Sequence, residues 1–146
     1  GGGATASGVS KTWQLGGSGL EVSKIGIGTL QWGDEGTGFG KTYREANLVE
    51  AFEAASAGGI SFWDTAEVYG FGNAKFQQSS EHIVGRLVRK QREEGGAAAA
   101  PVLGSKVFTV PWTNVIMGGG LRLGRESLIE ALKGSVERTG GPLDLW

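Results

Sequence analysis

The residues best suited to chemistry are a carboxylate, a phenol and an ammonium, each placed at or just beyond the end of an apolar run. Asp64 closes Ile60-Ser61-Phe62-Trp63, Tyr69 follows in a stretch that Gly70, Phe71 and Gly72 keep irregular, and Lys106 closes Val102-Leu103-Gly104-Ser105. A phenol with a pKa near 10 is a poor proton donor at neutral pH, and a nearby ammonium favours its ionised form. A carboxylate beside the lysine would hold that ammonium charged and oriented. Together the three form a candidate general acid tuned for proton transfer. Taken singly, each has a plainer reading: Asp64 as a turn cap, Tyr69 as an amphipathic core residue, Lys106 as a solvated strand end. Their joint placement on adjacent strand ends gives the chemical reading its weight.

The elements that must position them can be read from periodicity. Thr12 to Leu15 and Leu20 to Val22 flank Gly16-Gly17-Ser18-Gly19 and predict a hairpin. Ile25 to Leu30 predicts a strand whose Gly26 and Gly28 suggest close approach of a backbone or ligand, and 31–41 a loop. Ala46, Leu48, Val49, Phe52 and Ala55 recur at helical spacing between Tyr43 and Ala57, with Gly58-Gly59 as the stop. The strand ending at Asp64 comes next. Ser79-Ser80 then offers an N-cap to a second helix, with Glu81 in its first turn and Ile83, Val84, Leu87 and Val88 as its buried face. A flexible connector at 95–101 leads to the strand ending at Lys106. A third helix follows Gly124 with Leu128, Ile129, Leu132 and Val136 on one side, and Leu143 to Trp146 begin a fourth strand. Strand starts roughly 35 to 42 residues apart are the spacing of βα units with crossover helices, and so of a parallel sheet. Periodicity alone leaves a doubly wound sheet and a (β/α)₈ barrel both open.

Composition narrows the partners. The 146 residues fit one domain with a real core. With 28 glycines and 3 prolines the chain stays below the roughly 25–30% that marks low complexity. A net charge of −1 with interspersed signs gives no stripe for nucleic acid. The absence of cysteine removes disulfides, thiolate chemistry and cysteine-held metals, and no metal site is expected. No apolar run nears the roughly 18 residues of a membrane span. The default partner is a small molecule. Residues 1–10 predict a disordered lead-in.

Several stretches then meet a known family. Asp64-Thr65-Ala66-Glu67-Val68-Tyr69-Gly70 followed by Ser80-Glu81-His82-Ile83-Val84-Gly85 resembles the signature region of the aldo-keto reductases. Gly26-Ile27-Gly28-Thr29 resembles the first barrel strand of that family, and Gly104-Ser105-Lys106 its catalytic lysine strand. Gly124-Arg125-Glu126-Ser127-Leu128-Ile129 with Leu143 to Trp146 resembles its third helix and fourth strand. The likeness covers most of 13–146, and Trp13 to Gly16 with Val107 to Trp112 look most like plastid-type members from plants and algae.

The resemblance implies a (β/α)₈ barrel closed by an N-terminal hairpin, here over residues 11–146 as the hairpin and about the first three and a half units. It implies NADPH-dependent reduction of aldehydes and ketones. By the same likeness Tyr69 is the proton donor, Lys106 favours its ionisation and Asp64 pairs with Lys106. Gly28 and Thr29, with Asp64, line the nicotinamide end, and Trp32 walls the substrate pocket. The family's catalytic histidine lies past the fourth strand, and its adenosine-phosphate contacts lie in the last strands and loops, outside these residues. His82, the one histidine, reads as an exposed or capping residue. The loop from Gly70 to Gln78 is longer than in many members.

Such barrels usually need about 250 residues. The chain is therefore expected to be inactive alone, with exposed strand edges that invite self-association or a partner, and to lie in the chloroplast by family likeness or otherwise in the cytoplasm. A non-catalytic nucleotide-binding regulatory subunit and a truncated structural accessory chain are the alternatives. Gly36 to Gly40 and Gly118 to Gly120 read as loops, not dinucleotide fingerprints. Trp63 and Trp146 read as packing residues, and Arg86, Arg89, Lys90 and Arg92 as a basic helix end explained by the helix dipole and solvent.

Overall fold

The computed structural model describes residues 12–95, 100–109 and 121–146; the expected lead-in over 1–10, the glycine run 118–120, and parts of the 95–101 connector and of the 107–112 stretch lie outside them. The hairpin forms as expected, with β1 (Thr12–Gln14) antiparallel to β2 (Glu21–Ser23). β3 (Gly26–Gly28), β4 (Phe62–Asp64) and β5 (Val102–Gly104) form a parallel sheet. Each strand is shorter than its apolar run. Ile25 and Leu30, expected within the first parallel strand, lie outside β3 and are exposed.

Strand order decides what periodicity left open. The sheet runs β3-β4-β5 in chain order, and Leu145 extends it through a parallel bridge to Gly104. Doubly wound sheets reverse their order at a switch point, whereas barrels add strands sequentially. The order observed is that of a barrel. The fourth strand is reduced to this bridge, supported by Ser105 N–H donating to Leu145 O at 3.0 Å and Asp144 N–H to Leu103 O at 2.9 Å.

Among the described residues three helices cover one face of the sheet: α1 (Glu45–Ala57), α2 (Ser80–Glu94) and α3 (Arg125–Thr139). α1 starts two residues later than expected, where the Asn47 side chain accepts from Arg44 N–H at 3.0 Å. Successive strand residues point to opposite faces, so Trp63 faces the helix layer while Phe62 and Asp64 face the future barrel interior. Trp63 is 0% exposed and stacks on Phe52 of α1 at a centroid distance of 4.3 Å. Its indole nitrogen has no hydrogen-bond partner, and aromatic stacking offsets that cost.

α2 buries the face its spacing predicts, Ile83, Val84, Leu87 and Val88. α3 does not. Its buried positions are Ala131, Ser135 and Thr139, and Leu128, Ile129, Leu132 and Val136 are only partly covered. The reason is close helix packing: a Cβ on Gly85 of α2 would stand 2.5 Å from Thr139 Cα, so only a small-residue stripe fits there. In α1, Ala46 is exposed, and Ser56 is buried on the same stripe as Leu48 and Phe52.

The basic end of α2 also differs from its expected solvent role. Arg86 pairs with Glu45 of α1 at 2.5 Å, Arg89 donates to Gly140 O at 3.0 Å, and Arg92 binds Asp144 and Pro101 O. These guanidinia pin α2 to its neighbours rather than merely facing the dipole. Trp146, expected to pack, is 40% exposed.

Candidate active site

Parallel register sets Asp64 directly beside Gly28 on β3 and Gly104 on β5, at the carboxyl ends of all three strands. The chain leaves β4 still bound to its neighbour, Thr65 N–H donating to Gly104 O at 2.9 Å and Glu67 N–H to Lys106 O at 3.3 Å. It then turns at Tyr69, whose N–H donates to Ala66 O at 3.1 Å. Gly70 follows with φ 65°, and a Cβ there would meet Trp32 O at 2.7 Å. Only glycine satisfies both the left-handed backbone and that contact. The segment expected as a long loop is mostly a 3₁₀ helix, Phe71–Phe76, held by Asn73 Nδ2 donating to Gly33 O at 2.8 Å.

Lys106, Asp64 and Tyr69 are brought together. Lys106 Nζ donates to Asp64 Oδ1 and Oδ2 at 2.9 and 2.7 Å and to Thr65 O at 2.7 Å. Those three acceptors match the three protons of an ammonium. The same nitrogen lies 4.9 Å from the Tyr69 ring centroid, so it acts on the phenol as a charge over the ring. Lys106 and Asp64 are about half exposed, and their pairing contributes at most about 1 kcal/mol to stability. Its role is orientation.

The three remaining candidates separate. Gly28 is exposed, with no heavy atom within 4 Å of where a Cβ would stand. With Asp64 and Phe62 it lines an open concavity of about 650 Å³ on the inner sheet face. Thr29 is 0% exposed, and its hydroxyl is already bonded to Asp64 O at 2.9 Å and Ser80 Oγ at 2.6 Å, so that side chain braces the strand ends. Trp32 is 7% exposed and packs against Trp63 in the core. The cleft beside Tyr69, about 520 Å³, is instead lined by Leu30, Gly33, Val68, Phe71 and Phe108, with Asp34 and Glu35 on the same wall. The indole of Trp32 is large and apolar, and burial against Trp63 and Phe39 in the core satisfies it better than a half-open cleft.

Two polar clusters beneath the site escape a periodicity reading. Ser80 Oγ sits within 2.6 Å of Thr29 Oγ1 and 2.8 Å of Thr65 Oγ1, and donates to Thr29 O at 3.0 Å. All three hydroxyl residues are fully buried. They tie the first turn of α2 to the ends of β3 and β4. Ser80→Ala is expected to leave two buried hydroxyls short of a partner and to cost about 1–3 kcal/mol, measured as a shift in urea midpoint at unchanged slope.

The second cluster is ionic. Glu81 accepts from Ser105 Oγ and Arg138 Nε, each at 2.5 Å, and Glu67 accepts from Arg122 Nη1 at 2.5 Å. The only signal in the sequence is a glutamate among small and apolar neighbours, Ala66 and Val68 around Glu67, and Ile83 and Val84 after Glu81. His82 contacts Ser79 Oγ through Nδ1 at 2.6 Å, a side-chain contact that leaves the first-turn N–H groups of α2 without a side-chain cap. Burial, then the Arg138 and Arg86 guanidinia, hold its pKa below the ordinary histidine value.

The Aldo/keto reductase family model matches residues 24–146. The chain belongs to that family, whose members generally bind a nicotinamide cofactor and are oxidoreductases acting on carbonyls. Among curated relatives, pyridoxal reductase, chloroplastic, of Arabidopsis thaliana is 31% identical over 119 residues, 82% of this chain and 30% of the relative. An uncharacterized oxidoreductase of Mycobacterium tuberculosis is 37% identical over 97 residues, 66% of this chain and 26% of the relative. The chain thus spans about a third or less of the length of these relatives.

Solved structures agree on the fold. A Pseudomonas aeruginosa protein assigned to the aldo-keto reductases superposes with TM-score 0.64 at 27% identity, covering 89% of this chain and 43% of that one. The holo form of a Bacillus halodurans aldo-keto reductase gives TM-score 0.63 at 24% identity, with 90% and 37% covered. The architecture is therefore a partial (β/α)₈ barrel, the N-terminal hairpin and first βα units of the family fold. Among the described residues no helix is long and apolar enough to cross a membrane.

Proposed function

We propose that the full-length protein carrying these residues reduces aldehydes and ketones to alcohols with NADPH. One observation carries the reading: the Lys106 ammonium, clasped by both Asp64 oxygens, lies 4.9 Å from the Tyr69 ring centroid at adjacent strand ends. Gly28 and Asp64 fit a flat ring against the sheet, since the space over Gly28 is open; these two would hold the nicotinamide end. That cofactor, when bound, supplies the hydride.

The chain supplies the proton. Tyr69 donates its hydroxyl proton to the carbonyl oxygen, so that negative charge moves from the nascent alkoxide to the phenolate. Lys106 stabilises that charge through the ring, and Asp64 with Thr65 O keeps the ammonium from swinging away. Leu30, Val68, Phe71 and Phe108 would present apolar surface to the substrate beside Tyr69.

NADPH consumption across a panel of aldehydes tests the proposal. The full-length protein is expected to turn over at least part of the panel, and residues 1–146 alone to show little or no turnover because the later strands complete the cofactor site. Parent-like rates from the 146 residues would overturn the second expectation, and no turnover by the full-length protein the first. The open edges at β3 and at Leu145 are proposed to take the remaining barrel strands or, in the 146 residues alone, another copy, visible on size-exclusion. A plastid location is proposed from the chloroplastic relative.

A further inference from the structure

We propose that Glu67 is a positioning residue that fixes Tyr69 against Lys106, which makes a buried carboxylate outside the acid–base trio a determinant of the reaction rate. The proposal rests on the reading of Tyr69 and Lys106 given above. Glu67 lies between Asp64 and Tyr69 in the chain, and its side chain is 1% exposed. One oxygen, Oε1, accepts from Phe108 N–H at 2.8 Å, and the other, Oε2, accepts from Arg122 Nη1 at 2.5 Å with Arg138 Nη2 at 3.8 Å. Its own N–H donates to Lys106 O at 3.3 Å.

Main chain and side chain of this one residue therefore grip the β5 extension at Lys106 and at Phe108, on both sides of Val107. The loop that carries Tyr69 cannot move relative to the stem of Lys106 without breaking one of these bonds. No regular ladder does this work, because β4 ends at Asp64 and β5 at Gly104. Arg138, itself bound to Glu81 Oε2 at 2.5 Å, carries the grip on to α2 and α3. A buried carboxylate that loses its guanidinium partner is strongly disfavoured, so the arrangement resists rearrangement from both ends.

The consequence is geometric. The distance between the ammonium and the phenol ring is set by Glu67, and a displacement of about 1 Å in such a constellation can cost on the order of 10²-fold in rate.

Glu67→Gln and Arg122→Met test this in the protein, with Arg86→Gln as a control that breaks a different buried-edge pair, Arg86 with Glu45. Three readouts are needed. The ε-methylene protons of Lys106 report the Tyr69 ring current by NMR, the Trp63 indole resonance reports an intact core, and kcat and KM are followed for an aldehyde. Glu67→Gln and Arg122→Met are expected to lose the ring-current displacement of Lys106 while the Trp63 signal stays. They are expected to lower kcat roughly 10²-fold with KM changed less than about twofold, and Arg86→Gln to change neither. A folded variant of either kind with the wild-type Lys106 displacement would overturn the proposal.

If the variants do not fold, hydrogen exchange in the unsubstituted protein decides. The amides of Glu67 and Phe108 should be protected to the level of the β4–β5 ladder, and loop-like exchange at both would overturn the proposal. Loss of the Lys106 displacement in a protein that turns over no aldehyde would keep the positioning role and reject the reductase reading. An unchanged displacement in an active enzyme would do the reverse.

Discussion

Tyr69→Phe in the full-length protein is expected to lower kcat for aldehyde reduction by about 10²–10⁴-fold while leaving NADPH affinity within a few-fold. The substitution removes one oxygen and keeps the ring that Lys106 faces at 4.9 Å, so the ion pair with Asp64 and the shape of the cleft survive. What disappears is the proton. Tyr69 is also the one tyrosine lining that cleft, since Tyr43 sits beyond the first strand end with its hydroxyl bonded to Gln31 O. Steady-state kinetics with cofactor binding measured separately check the result. A Tyr69→Phe protein that keeps even a tenth of the parent kcat would assign the proton to another donor.

A large loss of stability is expected from Gly85→Ala. In a helix interior the exchange normally gains about 0.5–1 kcal/mol, because alanine loses less backbone entropy than glycine. Here the new methyl would stand 2.3 Å from Thr139 O, 2.5 Å from Thr139 Cα and 2.7 Å from Thr139 C. All three are main-chain atoms of α3 and cannot rotate away. Relief requires α2 and α3 to part, and that movement also pulls on the bonds from Arg138 to Glu81 and from Arg89 to Gly140 O. Overpacking of this kind costs about 1–3 kcal/mol, more than the helix propensity returns. Thermal unfolding should show a midpoint lowered by roughly 5 °C or more; an unchanged or raised midpoint would mean that the two helices are not so closely packed.

The same glycine shows where the sequence was legible. The hairpin, the parallel βα succession and α2 followed from alternation, helical spacing and glycine stops, whereas the strand order came only from the structure; α2 buries Ile83, Val84, Leu87 and Val88 as its spacing requires. α3 misled because its apolar residues suggested a broad face, while the contact with Gly85 admits only Ala131, Ser135 and Thr139. Packing distance, which no single helix encodes, chose the stripe.

The approach of Asp64, Tyr69 and Lys106 to one another was legible because each lies at or shortly beyond a strand end, and parallel register brings strand ends together. Thr29 and Trp32 were legible as neighbours of the site but not in their orientation, because alternation near a strand end is lost once the chain turns. Glu67 and Glu81 were hidden for a different reason. A charge is read as a surface residue unless its partner is known, and Arg122 and Arg138 lie 55 and 57 positions further along the chain.

The hydroxyl cluster under the strand ends poses a question of proton supply. Thr29, Thr65 and Ser80 own one hydroxyl proton each, yet their oxygens make four close contacts: Thr29 to Asp64 O, Ser80 to Thr29 O, and Ser80 to each threonine hydroxyl. Three protons must serve four contacts. Either one proton is shared between two acceptors, or the cluster exchanges between arrangements by concerted hydroxyl rotation. Thr29 can donate to Asp64 O while Ser80 donates to Thr29 O and Thr65 to Ser80 Oγ, so both carbonyls are served together and the short Thr29–Ser80 hydroxyl contact is the one left without a proton of its own. The strand ends beside the carboxylate that holds Lys106 are therefore tied by a buried hydroxyl chain with one contact more than it has protons.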